Sequence, residues 1–182
     1  KVNAADIADA VPTGAITDNM LSNDPNHIKA RLTSHMADNV TDSDGAHGLK
    51  IETGTFTPYI YGTTTAGENT YAAQFGYYTK IGDRVFYDIY LQMATKDPNI
   101  AGGINIGGLP FVSKNENLRR SAPTIGRLDS FSFGTAKAII GLFAQNTNYI
   151  ALRKTIDSGA ITGVVASDIG KIIINVSGNY QV

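Results

Sequence analysis

The chain has 182 residues, a formal net charge of −1 and no cysteine. It is long enough to bury a substantial core. The charge gives no electrostatic reason to expect nucleic acid or an anionic membrane surface as partner, and the lack of Cys excludes disulfides, thiolate catalysis and thiolate zinc sites.

No uncharged apolar stretch approaches the roughly 18 residues of a spanning helix, so no membrane partner is expected. The N-terminus has no apolar signal segment, and without an initiator Met the sequence is expected to be part of a longer chain. Residues 4–11 are Ala-rich, with Ile7 and Val11 four apart, and Pro12 and Gly14 close this short helical signal. A second helix is expected over 25–38, with Asp24 as N-cap and Pro25 at the first helical position. Ile28, Leu32 and Met36 recur on one face of it. Such a stripe is narrow, the width of a coiled-coil seam, and suits packing either on the same chain or on copies of itself. His27 and His35 lie on this helix and His47 follows it. Eight residues separate the first two, so they make no ligand pair, and no metal or cofactor site is expected.

Residues 41–50 form a polar connector containing Ser43, Asp44 and His47. A loop is the ordinary reading. A chemical one is self-cleavage at the Ser43–Asp44 bond, with the Asp44 carboxylate beside the scissile carbonyl and His47 or Glu52 moving the proton.

From residue 51 onward the pattern is β, with strands expected at 54–61, 71–81, 84–94, 103–107, 124–133, 136–145, 148–154 and 171–180. The clearest alternation follows Gly82-Asp83, a Gly-first pair suited to a two-residue hairpin turn. Val85, Tyr87, Ile89, Leu91 and Met93 fall on one face, and Phe86, Asp88, Tyr90 and Gln92 on the other. Glycines 102, 103, 107 and 108 are followed by Leu109-Pro110-Phe111, which rules out a phosphate loop and points to bulges or close strand crossings. Residues 160–169 are ambiguous, with Ser167-Asp168 able to open a helical turn. Nine tyrosines are spread along the strands. Most are expected to pack, whereas outward ones, with Tyr59, Tyr61 and Tyr90 as candidates, suit stacking on sugar rings. Glu68, Asp88, Glu116 and Asp129 show no pairing of the kind a glycosidase needs.

Five pieces in order (Gly54-Thr55-Phe56-Thr57-Pro58; Thr63–Thr65 with Gly67; residues 76–85; Ile106-Gly107-Gly108-Leu109-Pro110-Phe111; and residues 174–180) resemble the C-terminal β-domain of bacteriophage tail spikes and tail fibres. Within that group they are most similar to the pre-neck appendages of phi29-like Bacillus phages. The resemblance covers 52–182. It implies a jelly-roll-like antiparallel β-sandwich over 51–182, mainly β and trimeric, which the helical stalk or linker read from the residues over 1–50 would precede. Three copies of Ile28, Leu32 and Met36 would form the trimer seam. It further implies a virion tail component assembled in the host cytoplasm, serving trimer assembly with release as a chaperone by cleavage at Ser43–Asp44. The alternative is attachment to host cell-wall polysaccharide or teichoic acid. The implied partners are further copies of the chain and the upstream shaft of the spike.

Overall fold

The structure, a computed structural model, describes residues 50–116 and 121–182, which fall in the compact unit Lys50–Val182. Ile28, Leu32, Met36, Ser43, Asp44 and the three histidines, with the roles expected of them, lie outside the described residues. Among the described residues ten strands are formed: β1 (Ile51–Phe56), β2 (Tyr59–Gly62), β3 (Thr70–Ile81), β4 (Arg84–Thr95), β5 (Ile104–Gly107), β6 (Thr124–Phe131), β7 (Ala136–Phe143), β8 (Ile150–Ile156), β9 (Ile161–Gly163) and β10 (Ile169–Gln181). They build two antiparallel sheets, one in the order β1-β3-β4-β10-β6 and the other in the order β2-β5-β8-β7, with β9 beside β8.

The expected hairpin is present. Ile81 pairs with Arg84 across Gly82-Asp83, and Gly82 takes a φ of 58° that a side chain would resist. The alternation of β4 resolves as read: Val85, Tyr87, Ile89, Leu91 and Met93 are buried, and the intervening residues face outward. Ile172, Ile174, Val176 and Tyr180 of β10 join them. Against this layer the second sheet sets Ile60, Ile104, Ile106, Phe143, Ile150 and Leu152 in one apolar cluster. Each of these fully buried side chains contributes about 2 kcal/mol by removal from water. Three rings bind the layers together: Phe143 stacks on Tyr180 at 4.3 Å, and Tyr87 lies 5.8 Å from Tyr180.

Where the structure departs from expectation, the causes are local. The strand expected over 54–61 is two strands that join different sheets, because Pro58 has no N–H to continue a ladder. The glycine-rich stretch is a close crossing, as expected: a Cβ on Gly108 would sit 2.3 Å from the Thr57 carbonyl oxygen. The ambiguous stretch becomes β9 and a 3₁₀ turn at Ala166–Asp168.

That turn is tied down by charge. The Lys154 ammonium donates to both Asp168 oxygens at 2.7 and 2.6 Å, and Asp168 accepts from the Val165 N–H at 2.9 Å. Lys96 donates to the carbonyls of Ala166 and Ile169, anchoring the turn to the end of β4. The Lys154–Asp168 pair is largely buried (18% and 13% exposed), unlike Lys137–Asp157 at 66% and 64%. Asp168→Ala is therefore expected to lower stability by about 3 kcal/mol in urea unfolding, because it leaves a buried ammonium unpaired. Lys137→Ala is expected to change stability by less than about 0.5 kcal/mol.

Candidate functional site

On β3, Phe75 and Tyr77 alternate with the buried Gly76 and the half-buried Tyr78, so their rings point away from the core. On β10, Asn175 and Ser177 alternate in the same way with Ile174 and Val176. Strand register then gathers residues far apart in the chain. One cross-strand row reads Phe75, Tyr90, Asn175, Arg127, and the next reads Tyr77, Asp88, Ser177, Thr124. Between these rows β6 bulges. Arg127 pairs with Asn175 and Ile125 with Val176, which leaves Gly126 without a partner.

The result is an open groove of about 410 Å³ on the outer face of this sheet, lined mainly by Phe75, Tyr77, Asp88, Tyr90, Gly126, Asn175 and Ser177. Phe75 and Tyr77 are 53% and 57% exposed, an unusual state for large rings on a sheet face. A Cβ at Gly126 would meet no atom within 4 Å, so the wall is low there. Asp88 is the only charged side chain in the lining and has no hydrogen-bond or ion-pair partner among the described residues. The nearby Arg127 is engaged by Asp129, its Nε donating at 2.8 Å. The Tyr90 hydroxyl donates to the Gln92 side-chain oxygen at 3.2 Å, which fixes that ring at the groove edge.

The three tyrosines singled out from the sequence do not come together. Tyr90 belongs to this groove, whereas Tyr59 and Tyr61 lie on β2, on the outer face of the other sheet. There they pack on each other at 5.7 Å, and Tyr149 meets Tyr61 edge-on at 6.2 Å. The buried Asn105 donates to the Tyr61 hydroxyl at 3.2 Å, and burial pushes that phenol above its ordinary range. In this second cluster Tyr61 and Tyr149 are half-buried against each other, while Tyr59 keeps 45% of its surface exposed. Glu52, on β1, accepts a hydrogen bond from the Tyr78 hydroxyl at 2.8 Å. Phe75, Tyr77, Asp88, Asn175 and Ser177 were not singled out as a site by sequence reasoning. The outward alternation of β3 and β10 carried a signal for them, but the register that makes them neighbours did not. Among the described residues, no group of three or more His, Asp or Glu is placed to hold a metal.

The fold so built is a two-sheet antiparallel sandwich of the kind found in a phage tailspike. The crystal structure of the Dettilon tailspike protein is similar over 72% of this chain with a TM-score of 0.61, at 18% sequence identity. The match spans 24% of that tailspike's own length, so the likeness is one of fold with part of a larger protein. No family model and no curated protein matches the sequence.

The Glu52–Tyr78 contact makes a direct prediction. The hydrogen bond to Glu52 is the main cause that raises the Tyr78 pKa, with burial adding to it. The stability it provides is fully present below the ordinary tyrosine range, near pH 10, and is lost as pH rises through the elevated value. Alkaline absorbance titration is expected to show one fewer late-ionising tyrosine in Glu52→Gln than in the wild type.

Proposed function

We propose that this chain is a module of a bacteriophage tail spike, a virion tail component, that contacts host-surface polysaccharide through the groove on the β1-β3-β4-β10-β6 sheet. The observation that carries this reading is the groove itself: the exposed rings of Phe75 and Tyr77 and the half-buried ring of Tyr90 beside a carboxylate, an amide and a hydroxyl. Sugar rings have apolar C–H faces that stack on aromatic rings and hydroxyl edges that bond to such polar groups. The tailspike-like fold agrees with this role. A groove lined by a single carboxylate fits binding better than glycoside hydrolysis, which needs two. Tyr77→Ala is expected to weaken binding in glycan-array and calorimetric assays by about tenfold, equivalent to about 1.4 kcal/mol. It should leave the unfolding midpoint nearly unchanged, because the ring is exposed. Equal binding by variant and wild type would remove the groove from this role.

A second reading is favoured by a different observation. Val112, Phe133, Ile161 and Val165 are large apolar side chains left exposed on the single chain, with Ile161 the most exposed at 62%. Self-association would cover them. This fits a jelly-roll-like homotrimer joined to the upstream shaft through Ile28, Leu32 and Met36, with assembly in the host cytoplasm and release at Ser43–Asp44 assisted by His47 or Glu52. Sedimentation equilibrium at micromolar concentration is expected to give three times the chain mass, and a monomer would rule this reading out.

A further inference from the structure

The groove's charge narrows what it would take. Asp88 has no ion-pair partner among the described residues, and Arg127, at the end of the adjoining row, is already paired with Asp129, so the groove is short of free positive charge. Asp88 stands in the row between Tyr77 and Ser177, and Phe75 and Tyr90 fill the adjoining row. The faces of aromatic rings attract cations through their quadrupole, and the carboxylate does so through its charge. Both therefore favour the same ligand group, an ammonium. The same arrangement opposes phosphate, sulfate or uronate groups, since no lysine or arginine is among the lining residues. Asn175 and Ser177 remain to bond the hydroxyls of a ring whose amine is seated on Asp88.

We propose, building on the polysaccharide-binding reading above, that the groove recognises an amino sugar with a free, protonated amine, the ammonium resting on Asp88 between the flanking rings. Anionic polymers such as teichoic acid are then poor ligands for this face, although the chain's net charge of −1 would not itself repel them strongly. The bulge at Gly126 is part of the site. Its open position gives a sugar ring room beside Asn175, and Gly126 is not among the glycines with positive φ, so a larger residue there would fill the groove without backbone strain.

The test is calorimetric titration of the full chain with glucosamine trimer, N-acetylglucosamine trimer and a trilysine peptide, near pH 6, where aliphatic amines are protonated. Glucosamine trimer is expected to bind about tenfold more tightly than its N-acetylated counterpart, with a preference that shrinks as salt is raised. In Asp88→Asn the two sugars should bind alike, and in Gly126→Leu both should be lost while the unfolding midpoint is kept. Equal binding of the two trimers by the wild type would overturn the ammonium assignment and leave polysaccharide binding standing. A preference that survives Asp88→Asn would also overturn it. Trilysine binding as tightly as the amino sugar would overturn the saccharide part. Failure of both trimers to bind would overturn this inference, whereas failure of every glycan on an array would overturn the polysaccharide reading itself.

Discussion

The structure depends on the register of β4 between β3 and β10. In that register Val85, Tyr87, Ile89 and Leu91 enter the apolar layer together with Ile174, Val176 and Tyr180. Because side chains alternate with period two, a slip of one residue would carry the whole buried set to solvent and draw Phe86, Asp88 and Tyr90 inward. Burying the Asp88 carboxylate unpaired would be costly enough to exclude the slipped state. The residue that makes the groove distinctive thus also guards the pairing that creates it.

The two sheets treat their outer faces differently. On the β2-β5-β8-β7 sheet, Tyr59, Tyr61 and Tyr149 pack on one another, and the glycine at 107 lets the Tyr59 ring lie down on the backbone, within 2.8 Å of where a Cβ would be. On the other sheet the rings of Phe75 and Tyr77 stand free, the strand opposite carries small polar residues, and a bulge removes one side chain from the wall. A surface closed on itself contributes packing, whereas one left open at a cost in exposed apolar area is available to a partner. Rigidity comes from elsewhere: the Phe143–Tyr180 stack between the layers, and the Lys154–Asp168 and Lys96 contacts that hold the 3₁₀ turn. The groove therefore lies on strands whose positions are fixed before any ligand arrives.

Much of the fold was legible in the residues. The turn at Gly82-Asp83, the inward set of β4 and the close crossing at residues 102–108 are short-range consequences of glycine freedom and strand alternation, and each is found as expected. The break at Pro58 was equally local but was missed, because the alternation of apolar residues runs through it and masks the missing N–H. Strand β9 was missed for a different reason. Ile161-Thr162-Gly163 is too short to show a period, and it becomes a strand only by pairing with Arg153–Thr155.

By itself the sequence determined the two-faced hairpin, the turns that bound it and the predominance of β-structure, all set by contacts between residues close in the chain. It offered Tyr59, Tyr61 and Tyr90 as one kind of residue. Only the tertiary structure decided that the first two belong to a self-packed cluster and the third to an open groove, because β2 crosses to the other sheet after Pro58. Only the tertiary structure, too, brought Asn175, Ser177 and Gly126 beside Asp88. Those neighbours come from β10 and β6, and no local pattern sets such a pairing. It is fixed by which register buries the most apolar surface between the two sheets.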